Sequence, residues 1–441
     1  MEPVTKPAVP EPPAATLFTT APEWDHAAVP AWFAERQRKA WDEFLSLKMP
    51  LRKDENWRFA DLKKLDFSGY VMGEGFEGKE AAAAIARSQG LSEPAAKLVL
   101  GNDTLLQARG PKLEGVVVLP LREALNSHAA LIEKHFMAQG APLGGAKFAA
   151  LHLAALRGGV FVYVAPNVEV TAPVELHQWL GGMNAAAFPH TLVVADRGAK
   201  VTVVDYFQSL ASEPGFACGV TDLAAGDGAK IDYVCCQRWS RKVKAIHFSS
   251  TSTGRDSHVQ STFIQLGAAW SRTESLCIAN GTGSRSDMLS LAVAEGEQEM
   301  DCRTRQIHRQ HHTTSDLLYK NVLFDEARTI FSGLIAVDPG AHYTDAYQTC
   351  RNLLLSDDAE ANAMPGLEIN ADQVKCSHGA TAGPLRNEEV YYLRSRGIDE
   401  RTARQLLARG FCQEILDRIG DVDLAGAMES MVDEKFRRMT V

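Results

Sequence analysis

The chain has 441 residues, 45% of them hydrophobic and 23% charged, so it can bury a large core in about two or three domains. Its formal net charge of −9 disfavours binding to nucleic acids and to anionic membranes, because no basic excess is available to neutralise phosphates. No run approaches 18 apolar residues, which predicts a chain that does not span a membrane. Eight cysteines are scattered without a CxxC pair, a usage that indicates a reducing, cytoplasmic location.

The N-terminal third is predicted to be a tail followed by a mixed helical region. Residues 1–25 are rich in proline, which predicts a disordered or extended tail. Residues 26–157 form a predicted α/β region, with an amphipathic helix over 30–49 and an alanine-rich helix near 80–88. Two short apolar strands, AKLVL and GVVVLPL, and helices over 121–137 and 145–157 complete this region.

Residues 158–384 are predicted to be entirely β. Short strands alternate with Gly, Asn, Asp and Pro turns, and the lack of intervening helices excludes a βαβ architecture. GAKVTVV at 198–204 returns as GAKIDYV at 228–234, thirty residues later. Such a repeat predicts stacked coils of similar shape, and therefore a solenoid core, with a closed barrel or a sandwich as the alternative.

Residues 385–441 are predicted to form a helical C-terminal domain. One helix starts at a possible Asn387 cap and a second at a possible Asp399 cap, and a third follows near the C-terminus. Arginines give this domain a basic face: Arg394, Arg396, Arg401, Arg404 and Arg409. A small helical appendage of this kind either caps a solenoid or presents a surface to a partner.

The segment GEGFEGKE at 73–80 satisfies a glycine-rich dinucleotide pattern and nearly satisfies a phosphate loop. Glu80 stands where magnesium coordination needs Ser or Thr, and Glu74 and Glu77 would repel phosphates. No clear buried strand precedes the segment. We therefore expect a surface loop and no nucleotide bound by this chain through such a loop.

Three histidines, His308, His311 and His312, lie within five residues and raise the question of a metal site. On a strand, His308 and His312 could share one face, with His311 on the other. Since no carboxylate lies in register to complete a zinc site, a polar face of the solenoid is the favoured interpretation.

A group of carboxylates suggests another class of function. These residues are Asp287, Glu295, Glu297, Glu299 and Asp301. Two carboxylates with different pKa values could cleave a carbohydrate on a β-helix. A free-standing enzyme of that kind therefore remains an alternative hypothesis, although the spacing fixes no pair.

The segment ADQVKCSHGATAG at 371–383 carries the most specific candidate site, Cys376 and His378. On a strand both side chains lie on one face, about 7 Å apart. They could be a nucleophile and its base, or a buried cysteine beside a hydrogen-bonded histidine. They lack the further ligands of a zinc site, but they suit an iron or cluster site that a partner completes.

Four segments resemble the SufB/SufD family of iron–sulfur cluster assembly scaffolds. ADQVKCSHGATAG, followed by YYLRSRGI, is similar to the C-terminal signature of the SufD branch, and ENWRFADLKKLDF at 55–67 to its N-terminal Trp-Arg segment. Residues 315–337 and 344–369 resemble its β core. The SufB branch carries a cysteine where this chain reads PGAHYT at 339–344, and an acidic segment in place of CSHG, so the SufD branch is favoured.

The resemblance implies a mainly β protein, with a right-handed parallel β-helix core flanked by N- and C-terminal helical regions. It further implies a non-catalytic scaffold subunit that pairs with SufB through the β-helices and binds the ATPase SufC through its C-terminal helices, in support of cluster formation and iron acquisition. His378, with Cys376 beside it, would contribute to a transient iron–sulfur cluster shared with SufB. A homodimer in isolation is a further possibility.

Overall fold

A computed structural model describes residues 17–439. The described chain is mainly β: a solenoid of about eight turns with helices before and after it. The predicted solenoid is thus confirmed over the barrel and the sandwich. The N-terminal elements are α1 (Ala31–Ser46), β1 (Val71–Met72), α2 (Gly78–Arg87), β2 (Ala96–Gly101), β3 (Thr104–Arg109), β4 (Val116–Pro120), α3 (Leu121–Ser127), α4 (Ala129–His135) and α5 (Ala146–Ala155).

The solenoid strands divide between two facing sheets. Sheet A has the order β20-β18-β16-β14-β12-β10-β8-β5-β4, and sheet B the order β21-β19-β17-β15-β13-β11-β9-β6-β2-β3. The strands are β5 (Val160–Val164), β6 (Val174–Leu180), β7 (Ala185–Ala187), β8 (His190–Ala195), β9 (Lys200–Ser209), β10 (Gly215–Ala225), β11 (Lys230–Arg238), β12 (Val243–Thr253), β13 (His258–Gln265), β14 (Trp270–Ala279), β15 (Arg285–Ala294), β16 (Glu299–His308), β17 (Thr314–Leu323), β18 (Arg328–Val337), β19 (Asp345–Leu354), β20 (Glu360–Ile369) and β21 (Lys375–Pro384).

The sequence repeat marks one turn of the solenoid. Lys200 pairs with Lys230, and the two repeated segments run parallel and in register along β9 and β11. Each later strand of sheet B continues the stack after about 30 residues. Because alternate residues of each strand face the interior, stacking creates columns of buried side chains. One such column runs through Val203, Tyr233, Ser261, Met288, Leu317 and Gln348.

The N-terminal helices cover the outer face of sheet A. Phe44 of α1 and Phe148 of α5 share an apolar cluster with Phe216 of β10. The described part of the predicted tail, residues 17–25, contacts this layer: Leu17 is buried, and Trp24 Nε1 donates a hydrogen bond of 2.7 Å to the Ala154 carbonyl. Residues 1–16 of that prediction lie outside the described residues.

The C-terminal helices are α6 (Asn387–Ser395), α7 (Glu400–Leu416) and α8 (Val422–Arg438). Of these, α7 and α8 cover the outer face of sheet B, and α6 contacts α7. The Asp399 carboxylate accepts a hydrogen bond of 3.0 Å from the Thr402 N–H, which confirms the predicted cap of α7. The predicted Asn387 cap is wrong, because Asn387 is the first helical residue and Arg386, which precedes it, makes no side-chain cap. Cys412 and Met428 pack with Val322 of the solenoid.

None of the helices within residues 17–439 is both long and apolar enough to cross a lipid bilayer.

Candidate functional site

The last turn of the solenoid is open. β20 pairs only with β18, and β21 only with β19, so these two strands end the two sheets. Along β21 every side chain is exposed or half-buried, whereas β17, two turns earlier on the same sheet, is almost fully buried. Each ten-residue edge therefore presents backbone N–H and C=O groups that no strand of the described chain pairs with.

Cys376 and His378 are the last members of two interior columns. Cys376 lies in register with the buried Ala346, and His378 with the buried Gln348. Ser377, between them, is in register with Tyr347, whose ring is exposed on the outer face. The predicted shared face of Cys376 and His378 is thus the inner face of the solenoid at its open end.

The Cys376 thiol is half-buried beside a carboxylate. Cys376 packs in an apolar cluster that includes Ala346 and Val374. This burial raises the pKa of the thiol. The carboxylate of Asp345 raises this pKa further, while a backbone hydrogen bond with Ala346 opposes the rise. Asp345 Oδ1 is buried without a hydrogen-bond partner. The thiol form is therefore favoured in the isolated chain, and a metal would have to displace its proton.

His378 is exposed, and it lies in register with Gln348, whose side-chain amide is buried. Gln348 Nε2 donates a hydrogen bond of 3.3 Å to the Gly333 carbonyl, but Gln348 Oε1 is buried without a partner. Gln348 is the last fully buried residue of this column, and His378 follows it at the open end. Sequence reasoning missed Asp345 and Gln348, because one turn of the solenoid separates them from Cys376 and His378 along the chain.

The three clustered histidines do not come together. His308 lies inside the solenoid, where its ring nitrogens are 2.7 Å from Thr313 Oγ1 and 2.9 Å from Ser315 Oγ. Burial lowers the pKa of His308 to about 4. His311 and His312 lie in the exposed turn before β17, and the His312 ring stacks on Tyr343 with 4.7 Å between ring centroids. Within residues 17–439 no group of three His, Cys, Asp or Glu side chains is placed to hold a metal ion.

Most of the clustered carboxylates have structural partners. Asp287 Oδ2 lies 2.8 Å from His258 Nε2, and Glu295 Oε1 lies 2.7 Å from Lys435 Nζ. Glu299 accepts a hydrogen bond of 3.0 Å from the Trp270 indole, and Asp301 binds Arg272 and Arg303, each at 2.5 Å. These contacts give four of the carboxylates a structural role in the fold.

The glycine-rich segment at 73–80 leads from β1 into α2. Residues 73–77 form a loop whose Phe76 side chain packs under α2, and the helix starts at Gly78. Glu74 and Glu77 are both exposed at this loop. The segment serves to seat α2 and carries the two acidic side chains that disfavour a phosphate ligand.

Comparison with known proteins places the chain's sequence among iron–sulfur assembly proteins. The family model described as "SUF system FeS cluster assembly, SufBD core domain" matches residues 178–411, and "SufBD protein N-terminal region" matches residues 14–176. A SufBD family iron–sulfur cluster assembly protein of Synechocystis sp. is 30% identical, over 90% of this chain and 90% of its own length. The iron–sulfur cluster assembly protein SufD of Bacillus subtilis is 27% identical, over 92% of this chain and 95% of its own length. A chloroplastic SufBD family protein of Arabidopsis thaliana is 24% identical, over 89% of this chain and 74% of its own length.

Proposed function

Because the chain belongs to the SufBD family of iron–sulfur cluster assembly proteins, we propose that it is a non-catalytic scaffold subunit of a SUF complex in the cytoplasm. In this proposal it pairs with SufB and binds the ATPase SufC, while ATP hydrolysis and sulfur release take place on partner chains. The complex forms iron–sulfur clusters de novo and takes up the iron for them. The observation that carries the proposal is the open last turn of the solenoid, with Cys376 and His378 at the ends of two interior columns.

The two open edges support end-to-end pairing with a second solenoid. Natural proteins usually protect exposed strand edges with charges, bulges, proline or a covering element. Here β20 and β21 end side by side, and Leu367 and Ile369 leave apolar side chains exposed on the last strand of sheet A. A partner of the same architecture would continue both sheets and bury these groups. SufB, as a family relative with its own solenoid, is the partner that this geometry suits.

The cluster, as the cargo of the complex, would lie at that junction. A thiol and an imidazole are suitable ligands for iron, but two ligands do not complete a cluster site. The described residues hold no complete metal-binding group, and Cys376 and His378 are the soft and borderline ligands that the open end provides. SufB would supply the missing ligands.

An anaerobic reconstitution with and without SufB tests the proposal. We expect His378→Ala to abolish cluster accumulation, measured by visible absorbance and iron content, while binding to SufC and the unfolding transition stay unchanged. Cys376→Ala reports whether the thiol is needed as well. His311→Ala is the matched control, because His311 is an exposed histidine in the turn before β17 and not on the terminal strand β21.

Normal cluster accumulation by His378→Ala would overturn the assigned role of this histidine. Glycan turnover by the isolated chain, dependent on Asp287 or Glu299, would instead support the alternative of a free-standing enzyme. Equal reconstitution in the absence of SufB would contradict a shared site.

A further inference from the structure

A cavity of about 430 Å³ lies where the last turns of α8 meet the corners of the solenoid. Its charged walls come from three places in the sequence: the end of β11 and the turn after it, with Arg238 and Arg241; the turn that follows β15, with Glu295; and the end of α8, with Glu434, Lys435 and Arg438. The turns that follow β9 and β13 contribute Ser212, Leu266 and Gly267. A cavity of this volume is in the range of small-molecule sites. Neither Cys376 nor His378 borders it.

The cavity has a surplus of positive charge. Four cations line it, Arg238, Arg241, Lys435 and Arg438, against two carboxylates, Glu295 and Glu434. The cations share these carboxylates. Arg238 Nη2 lies 2.6 Å from Glu434, which also binds Arg438, and Lys435 Nζ lies 2.7 Å from Glu295, which also lies 3.4 Å from Arg241 Nη1.

This surplus distinguishes the cavity from two other cavities within residues 17–439. The cavity of about 300 Å³ beside α1 has no surplus charge, because it is lined by two carboxylates, Glu23 and Asp25, and two cations, Arg122 and Arg157. The adjoining cavity of about 210 Å³ balances Glu23 against Arg157. Since the whole chain carries a net charge of −9, a local excess of two positive charges is unexpected on composition alone.

Two of the cations are held in place by the local fold. Lys435 is nine-tenths buried, and its ammonium group also donates a hydrogen bond of 3.1 Å to Gln298 Oε1. The guanidinium of Arg241 lies against Gly296, where a Cβ atom would stand 2.1 Å from Nη2. Gly296 has a φ of +58°, so the turn both requires glycine and leaves the space that the guanidinium occupies.

We propose that this cavity, referred to below as the α8 cavity, binds a small molecule that carries a phosphate group. A phosphate monoester has a charge of about −1.5 to −2 at neutral pH, which matches the surplus of two positive charges. The planar forks of three arginines suit the bidentate recognition of phosphate oxygens. The concave shape and the buried lysine favour a small ligand over an acidic protein segment, which would need a broader and flatter surface.

Calorimetric titration of the full-length protein tests this proposal, with inorganic phosphate, pyrophosphate and citrate as probes at constant ionic strength. We expect one saturable site for phosphate or pyrophosphate. Arg241→Gln combined with Arg438→Gln should weaken the affinity at least tenfold, because both side chains are largely exposed and their loss removes the surplus charge without opening the core. Arg255→Gln combined with Arg309→Gln is the matched control, since both are exposed, ion-paired arginines remote from the cavity.

Three results would overturn the proposal. Heat that does not saturate with phosphate, pyrophosphate or citrate would mean an adventitious ion only. Saturable binding of citrate without binding of either phosphate probe would assign the cavity to carboxylates. Equal weakening by the cavity pair and by the control pair would show a general charge effect. Because the readout needs neither SufB nor a cluster, its failure leaves the proposed scaffold role unaffected.

Discussion

Trp57 lies over the guanidinium group of Arg272, with 3.8 Å between the guanidinium carbon and the ring centroid. Arg272 is buried on the outer face of sheet A, where it binds Glu274 at 2.6 Å and Asp301 at 2.5 Å. Its second terminal nitrogen donates hydrogen bonds of 2.9 Å to the carbonyls of Asn56 and Leu143. This one side chain therefore joins the Trp-Arg segment, the loop before α5 and the solenoid.

Replacement of Arg272 by methionine should strongly destabilise the protein. Methionine keeps most of the apolar length of the side chain, but Glu274 and Asp301 would lose their shared cation in a fully buried site. Burial already raises the pKa of Glu274, and Arg272 is the main group that opposes this rise. Breaking a buried ion pair by removing one partner typically costs about 3–5 kcal/mol. Urea unfolding followed by tryptophan fluorescence measures the change.

Arg255→Met provides the control for that experiment. Arg255 pairs with Asp227 and Asp256 at an exposed turn, where an ion pair contributes at most about 1 kcal/mol. A loss of stability in Arg272→Met that does not exceed the loss in the control would show that the buried cluster does not hold the N-terminal region on the solenoid.

Asp205 should make stability depend on pH. It is fully buried, accepts a hydrogen bond of 2.6 Å from Thr191 and lies 3.3 Å from the Tyr233 hydroxyl. Burial raises its pKa from 3.8 to about 7. Between these two pH values the unfolded chain has lost this proton while the folded chain keeps it, so stability falls as pH rises from about 4 to 7 and then levels off.

Asp205→Asn should remove the fall in stability that the wild type shows between about pH 4 and pH 7. The difference in unfolding free energy between the variant and the wild type should increase from pH 4 to pH 7, with an upper bound of about 4 kcal/mol at 1.36 kcal/mol per pH unit. Denaturant unfolding at several pH values measures this difference. A difference that is constant across the window would contradict a buried, protonated Asp205. Asp227→Asn, at an exposed turn, controls for the loss of a carboxylate.

Cys376 should be the one cysteine that is accessible to alkylation in the folded protein, although its raised pKa slows the reaction. Seven of the eight cysteines are buried, and only Cys376 is half-buried. We expect iodoacetamide to label one thiol under native conditions and eight in urea, as measured by intact mass. Cys376→Ser should abolish the native label, and added SufB should protect it if the open end is the interface. Rapid labelling of a second thiol would contradict the closed packing of the solenoid interior.

The sequence was informative where the fold repeats and where a side chain acts on its own neighbours. The return of GAKVTVV as GAKIDYV predicted the stacking of β9 on β11, because one repeat equals one turn. The Asp399 cap was predictable, since it depends on Thr402, three residues away. The shared face of Cys376 and His378 followed from strand alternation alone.

Contacts between turns could not be predicted in the same way. Gln348 pairs with His378, and Asp345 acts on Cys376, only because the last two turns stack in a particular register. His308 is interior while His312 stands in a turn, a difference set by where β16 ends. The alternation of side chains over a few residues does not reveal that β16 ends at His308. The sequence therefore did not separate the buried histidine from the two histidines in the turn.

The exposed aromatic pair on α6 should be needed for binding SufC. The side chains of Tyr391 and Tyr392 are 73% and 57% exposed, beside the basic side chains of Arg394 and Arg396. Tyrosine and arginine are enriched among residues that dominate binding energy. We expect Tyr391→Ser combined with Tyr392→Ser to weaken capture of SufC at least tenfold while the thermal unfolding midpoint stays unchanged.

Deletion of residues 385–441 should also abolish capture of SufC. Because the deletion would uncover the apolar outer face of sheet B, the point variants are the sharper test.

Tyr343→Ser is the matched control for this pair. Tyr343 is similarly exposed, but it lies in a solenoid turn, where its ring stacks on His312, away from the C-terminal helices. Pull-down with tagged SufC, quantified over a range of concentrations, compares the wild type, the variant of the α6 pair and Tyr343→Ser. If the variant of the α6 pair bound SufC as tightly as the control, the SufC docking surface would have to lie elsewhere. Loss of binding in the control as well would show that SufC contacts the solenoid turns, which the proposed division of surfaces does not allow.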